Sequence, residues 1–264
     1  MYFCFGFVSC LKSRTTKVSR GGSSAQLLMK LLLKLLPPAV VKGLGGVVGV
    51  ACGQEHCLAL CESGQVFAWG RSSEGQEVST PRLQCMPIPI VQVACGNQHS
   101  LALTVGGDVY SWGVNRFGQL GHPKEVSTLA IPSRIQSLTG VPVTQICAGG
   151  EHSLVLGLSG LVYCCGANGS GQLGRFNVCV VPALRELSIS SISCGEAHTA
   201  VLTQDGSVFT FGEGSYGQLG HNSTANELRP RRVESLEGQA AQIACGSRLF
   251  LLCISNFCTV CLLC

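Results

Sequence analysis

A glycine-punctuated unit that recurs along this 264-residue chain constrains its fold more than any other feature. The clearest copy runs from Val91 to Gly121, and within it residues 99–104 alternate as a half-buried β-strand does. The turn residues 106–108 follow, then a second short strand at residues 109–112 and a glycine-rich loop at residues 115–121. Glycine is favoured where φ is positive or where two backbones pass closely, so the fixed glycine spacing predicts a repeated backbone shape.

A histidine marks the start of the first of these strands in four copies. The histidines are separated by 43 to 53 residues, a period typical of propeller blades. A fifth copy begins at residue 243 and has Leu249 where the histidine is expected. We predict structural roles for the recurring positions, which are His56, His99, His152, His198, Gly53, Gly96, Gly149, Gly195, Trp69, Trp112 and the loop glycines Gly118, Gly121, Gly171, Gly174, Gly217 and Gly220.

At these residues the chain resembles the regulator of chromosome condensation repeat family, whose members are seven-bladed β-propellers with four strands per blade. Val91–Leu103, Gln145–Leu158 and Val208–Asn222 are similar to the propeller domain of the HERC ubiquitin ligases, which join such a propeller to a HECT catalytic domain. The resemblance covers residues 39–248. It implies an all-β fold, a partial propeller of about four to five blades in an open ring, truncated relative to the family.

The repeat divides the chain into three parts. Residues 1–38 form a basic and apolar segment without the repeat, and residues 249–264 form a divergent, apolar, cysteine-rich tail. Between them we predict blades near residues 39–80, 81–131, 132–181 and 182–228, with the start of another at 229–248. We interpret both ends as products of truncation or alternative splicing. A targeting peptide or membrane contact at the first segment, and an anchor, a metal site or a prenylation box in the tail, remain alternatives.

Composition excludes several classes of function and location. Charged residues make up 12% of the chain, and no acidic residue precedes Glu55, so the repeats carry 11 basic and 14 acidic residues and show no basic face for nucleic acid. The number of cysteines, 17, is odd, and the sequence shows no convincing secretory signal. Both observations favour a reducing compartment. We expect a cytoplasmic location and leave the nucleus open.

The sequence patterns that could indicate a catalytic, cofactor or metal site are less specific than the repeat in which they occur. Zinc requires three or four close ligands, whereas each repeated histidine lies alone at the start of a strand. We therefore predict that each histidine bonds a turn of its own or the neighbouring blade, and that Trp69 and Trp112 pack between blades. Residues 212–217 match G-x-G-x-x-G without the helix that binds a dinucleotide. No catalytic residue, cofactor or metal site is predicted.

The segments between the repeated strands differ in length and composition, and binding residues usually collect in such loops. These segments are Arg71–Pro89, Pro123–Pro132, Arg175–Val181 and Asn222–Arg232. They predict a protein-binding module. The resemblance to the HERC ligases implies that this module recognises a ubiquitination substrate or a regulator, and because the sequence shows no HECT-like region we expect this chain not to be an enzyme. The resemblance leaves two alternatives: guanine nucleotide exchange on a Ran-like small GTPase, and a membrane-attached scaffold. We also expect two open sheet edges that pair with other chains.

Overall fold

The described residues fold into five antiparallel β-sheets that follow one another in sequence. A computed structural model describes residues 40–72, 75–172, 178–234, 239–254 and 257–263, with the backbone alone described from residue 250 onward. The basic segment predicted at residues 1–38 lies outside these ranges. No helix long and apolar enough to cross a membrane is found in the described part of the chain.

Each sheet is a meander in which consecutive strands are hydrogen-bonded neighbours. The strands are β1 (Val47–Cys52), β2 (His56–Cys61), β3 (Val66–Arg71) and β4 (Glu77–Gln84) in the first sheet; β5 (Ile90–Cys95), β6 (His99–Thr104), β7 (Val109–Val114) and β8 (Thr128–Arg134) in the second; β9 (Val143–Ala148), β10 (His152–Gly157), β11 (Val162–Gly166) and β12 (Cys179–Val180) in the third; β13 (Ile189–Cys194), β14 (His198–Thr203), β15 (Val208–Gly212) and β16 (Glu227–Arg232) in the fourth; and β17 (Ala240–Cys245), β18 (Phe250–Ile254) and β19 (Phe257–Leu263) in the fifth. Two single-turn 3-10 helices, Gln136–Leu138 and Pro182–Leu184, precede the third and fourth sheets. The predicted all-β architecture of four to five propeller blades in an unclosed ring is confirmed.

The hydrophobic core is a series of interfaces between neighbouring blades. Strands β6, β10 and β14 are buried along all six of their residues, because each lies in a sheet that is covered on both faces. Between the second and third blades Leu101, Ile135 and Ile146 form one apolar cluster. Burying one such side chain contributes about 1.5–3 kcal/mol, so stability comes from contacts between blades as well as from each hairpin.

The outermost strands of the first, second and fourth blades extend beyond the blade ends predicted from the repeat. The expected blade ends at residues 80, 131 and 228 fall inside β4, β8 and β16. Each of these strands contains a proline, Pro81, Pro132 or Pro230, which is tolerated because an outermost strand does not need all of its N–H donors. Much of the sequence that was predicted to form variable loops in these three blades is therefore edge strand.

The described residues of the apolar, cysteine-rich tail continue the sheet that begins at Ala240. Strand β18 pairs with β17 and then with β19, so the tail supplies two strands of the fifth sheet. The pairing of Cys245 with Phe250 repeats the pairing of Cys194 with Thr199 in the fourth blade. The tail has lost the histidine and tryptophan signature, whereas its backbone keeps the register of the earlier hairpins.

The neighbouring blades form an arc, and at the first blade this arc ends in an exposed sheet face. An open strand edge was expected there. Strand β1 exposes Val47, Val48 and Val50 by 43%, 59% and 44% of their surface. The equivalent strand β9 of the third blade is covered by its neighbours and buries Val143 and Ile146. The uncovered apolar surface belongs to a blade whose outer face has no neighbour in the described arc.

Candidate functional site

Three of the four repeated histidines join their blade to the next one. His56 Nε2 lies 2.9 Å from Ser100 Oγ, His99 Nε2 lies 2.8 Å from Ser153 Oγ, and His152 Nε2 lies 3.1 Å from Thr199 Oγ1. In these three cases the hydroxyl belongs to the residue that follows the histidine position of the next blade. Neither ring nitrogen of His198 has a hydrogen-bond partner among the described residues. The three linked side chains thus form one polar link at each of the first three interfaces.

The hydrogen bonds at the second interface define the state of His99. Ser153 Oγ donates to the Gln119 carbonyl at 2.7 Å, so it accepts a hydrogen bond from Nε2–H of His99. His99 Nδ1 is then an unprotonated nitrogen, and it has no partner in the described structure. Burial lowers the pKa of His99 and of His152 to about 3, which keeps both rings neutral at physiological pH.

His99, His152 and His198 are fully buried and His56 is partly buried, and burial lowers the pKa of all four rings. Among the described residues no group of three or more histidine, cysteine, aspartate or glutamate side chains could hold a metal ion. The arrangement is suited to holding blades in register, and the histidine positions remain predicted structural residues.

The glycine three residues before each histidine lies where two blades come closest. A Cβ built on Gly53 would lie 2.5 Å from the Gly96 carbonyl oxygen and would also overlap the ring of His56. Gly149 and Gly195 face the carbonyls of the next blade in the same way, at 2.6 and 2.7 Å. These positions need glycine because the histidine ring packs directly on the backbone.

The Gly-Gln-Leu-Gly loops are rigid turns that fill the blade interfaces. Gly118 and Gly121 have φ values of 84° and 68°, and the glutamine between them accepts the N–H of Phe117 at 3.0 Å. Leu120 is fully buried. The loop glycines Gly217 and Gly220, at 75° and 72°, and Gly171, at 88°, repeat this geometry, whereas Gly174 lies outside the described residues.

The two tryptophans occupy equivalent positions in the first and second blades. Trp69 pairs with Cys57 and Trp112 with Ser100, as Cys165 and Phe211 pair with the corresponding residues of later blades. Trp112 is 8% exposed, whereas Trp69 is only half-buried. Both side chains border the space between the first two blades.

Two exposed aromatic residues lie on one rim of the arc. We define the upper rim by the connections between the first and second strands and between the third and fourth strands of each blade. Phe117 and Tyr216, which precede equivalent loop glycines, are 42% and 50% exposed there. The Arg248 guanidinium lies 4.6 Å from the centre of the Tyr216 ring. Neither aromatic residue is among the positions predicted from the sequence, although the fixed place of both before a loop glycine is a signal that could have revealed them.

Comparisons with known proteins agree with this architecture. The RCC1-like domain family is matched over residues 17–258. Human probable E3 ubiquitin-protein ligase HERC6 is 49% identical over 218 residues, covering 75% of this chain and 21% of that protein. Rat probable E3 ubiquitin-protein ligase HERC4 is 48% identical, covering 79% of this chain and 17% of that protein. The chain thus spans about a fifth of the length of these relatives.

Solved structures show the same fold. Human WBSCR16 superposes with a TM-score of 0.72 at 26% identity, covering 80% of this chain and 58% of that one. Prp20p from Saccharomyces cerevisiae, described with its binding properties to Gsp1p and histones, superposes with a TM-score of 0.71 at 23% identity, covering 80% and 57%. At this identity the second likeness supports the fold alone.

Proposed function

Because this chain belongs to the RCC1-like domain family, we propose that it is a protein-binding propeller module of the kind found in HERC ubiquitin ligases. The relatives near 49% identity are ligases of that type, and the match covers a small part of their length. In this proposal ubiquitin transfer belongs to other parts of such ligases, and the described blades recognise a substrate or a regulator.

The upper rim is the observation that supports this proposal most directly. Phe117 and Tyr216 are exposed aromatics on loops whose backbones are fixed by glycines with positive φ and by a glutamine hydrogen bond. Aromatic and arginine side chains on a rigid support are typical energetic centres of protein interfaces. Arg248 and Glu196, whose side-chain atoms lie 4.0 Å apart, add a charged pair beside Tyr216.

Capture of cellular proteins by the immobilised chain tests the proposal. We expect the Phe117→Ala/Tyr216→Ala double variant to lose specifically captured proteins, measured by quantitative mass spectrometry. The matched control is Val105→Ala/Leu158→Ala, which removes two apolar side chains, 68% and 73% exposed, from equivalent turns on the opposite rim. Equal capture by the wild type and both double variants would contradict binding through the upper rim.

A nucleotide-release assay separates this function from guanine nucleotide exchange. We expect the chain to leave the rate of GDP release from a Ran-like GTPase unchanged at concentrations that capture other proteins. Acceleration of release that depends on Phe117 and Tyr216 would instead assign the rim to exchange.

A further inference from the structure

The Gly-Gln-Leu-Gly loop fills a defined space in the second blade. Its backbone lies between the second and third blades, where Ser153 Oγ donates to the Gln119 carbonyl at 2.7 Å and Ser111 Oγ donates to the Leu120 carbonyl at 2.8 Å. The Leu120 side chain is fully buried. The fourth blade repeats this, since Thr210 Oγ1 donates to the Leu219 carbonyl at 2.6 Å.

The first blade has no such loop. Strand β3 ends at Arg71 and β4 begins at Glu77, so the sequence that connects them, residues 72–76, is five residues long and lacks Gly-Gln-Leu-Gly. A cleft of about 350 Å³ occupies the corresponding space between the first and second blades. Its walls are the counterparts of the residues that hold the loop in the second blade: Ala68 for Ser111, Ser100 for Ser153, Trp112 for Cys165 and Gly113 for Gly166.

Ser100 is a buried hydroxyl that faces this cleft. It is 2% exposed and lies 2.9 Å from His56 Nε2. Its counterpart Ser153 bonds a histidine and also donates to a loop carbonyl, whereas Ser100 makes no second hydrogen bond to any described residue. The Ser100 hydroxyl therefore has the capacity for a further hydrogen bond at the place where its counterpart binds a backbone carbonyl in the next blade.

Among the described residues, the charges that line the cleft are predominantly positive. Arg71, Arg82 and Arg116 line it together with one acidic residue of the described part, Glu55, which lies 3.4 Å from Arg71. Arg82 and Arg116 are exposed and form no ion pair within the described ranges. An occupant carrying acidic residues beside its apolar side chain would complement these arginines.

We propose that this cleft binds an extended peptide segment of a partner protein, which inserts a leucine-sized side chain and a backbone carbonyl where the first blade lacks its own loop. Acidic residues flank that side chain in the preferred segment. The proposal rests on the protein-binding function above and assigns part of it to one site. The mode of recognition is a short segment docking in a preformed groove, with Ser100 as its hydrogen-bond donor.

Tryptophan fluorescence of the full chain tests the proposal, because both of its tryptophans line the cleft. The probe is a blocked peptide with the sequence of residues 115–121, which contains no tryptophan. We expect a saturable change in emission, tighter binding when the arginine of the peptide is replaced by glutamate, and binding at least about tenfold weaker when its leucine is replaced by alanine. No saturable change with any of these peptides would overturn the proposal.

Two variants of the chain locate the binding. Ser100→Ala should raise the dissociation constant of the peptide about fivefold, because it removes one hydrogen bond. The control Ser63→Ala, at an exposed serine, should leave the dissociation constant unchanged. Replacing residues 72–76 with the sequence of residues 115–127 should fill the cleft in the chain itself and abolish the response. An undiminished emission change in the grafted chain would contradict binding in the cleft. Peptide binding that is equally tight in the wild type and in Ser100→Ala would contradict it as well.

The outcomes also separate this proposal from the general function. Protein capture that depends on Phe117 and Tyr216, without peptide binding, would leave the proposed function intact and reject the cleft. The emission of the chain alone, without peptide, can also be measured as its concentration is raised. A change with concentration that disappears in the Leu120→Ala variant would show that a second copy of the chain fills the cleft. That result would reject a different protein as the occupant.

Discussion

At the scale of single residues, the blade junctions depend on the absence of a side chain at four glycines. The ring of the neighbouring histidine and the carbonyl of the next blade occupy the space that a Cβ would need. Because both obstacles are parts of the packed junction, neither can move without separating two blades.

We expect Gly149→Ala to destabilise the chain by about 1–3 kcal/mol, since the added methyl group would lie 2.6 Å from the Gly195 carbonyl oxygen. Gly45→Ala is the matched control, because nothing lies within 4 Å of the added Cβ there. Urea-induced unfolding measures both changes. Equal stability of the two variants would contradict the packing described for the junction.

The buried histidines give the stability a defined pH dependence. The pKa of His99 is about 3 in the folded chain and about 6.5 when unfolded, so the unfolded state binds the proton between these values. Its stabilising contribution is complete above pH 6.5 and declines as the pH falls toward 3, by about 1.4 kcal/mol per pH unit.

We therefore expect the free energy of unfolding to fall less steeply with acid in His99→Gln than in the wild type. Between about pH 7 and pH 5 the difference should reach about 2 kcal/mol, measured by urea unfolding at both pH values. Parallel stability curves for the two proteins would show that His99 is not held neutral by burial.

At the scale of strands, glutamine side chains join the innermost strands of adjacent blades. Gln92 in β5 donates to the Ile146 carbonyl at 2.9 Å and accepts the Ile146 N–H at 3.0 Å. Gln145 in β9 makes the same pair of bonds to Ile192. Each glutamine thus replaces the hydrogen bonds that an edge strand would otherwise lack.

We expect Gln92→Ala to lower the free energy of unfolding by about 1–3 kcal/mol, because it leaves the N–H and the carbonyl of Ile146 without their hydrogen-bond partner. Gln242→Ala is the matched control: Gln242 holds the same strand position in β17, where it is exposed. Its replacement should change the free energy of unfolding by less than about 0.5 kcal/mol. A cost at residue 242 as large as that at residue 92 would contradict a role of Gln92 between blades.

The sequence predicted the inner hairpins better than it predicted the rest of each blade. The strands that begin at His56, His99, His152 and His198 carry alternation and glycine turns, which are local signals. The outermost strands β4, β8 and β16 each hold a proline and no fully buried residue, so they lack the pattern that marks the inner strands. The cleft could not be predicted, since it depends on which blades are neighbours and on a loop that one blade lacks.

At the scale of the whole molecule, the blades form an arc whose stability is shared between neighbours. An interior blade such as the second is covered on both faces, whereas the first exposes Val48 and Val50. The association with other chains that we expected from open strand edges remains a prediction, and it now refers to this apolar face. A linear array of this kind opens from its uncovered end before its interior.

Hydrogen–deuterium exchange along the four equivalent strands β2, β6, β10 and β14 tests the arc most directly. All four hold the same place in their blades, but β2 alone is only partly buried, at His56 and Cys57. If each blade is stabilised by its neighbours, the amides of β2 exchange fastest and those of β6, β10 and β14 are strongly protected. Equal protection in all four strands would contradict it, because blades that do not support one another would exchange alike.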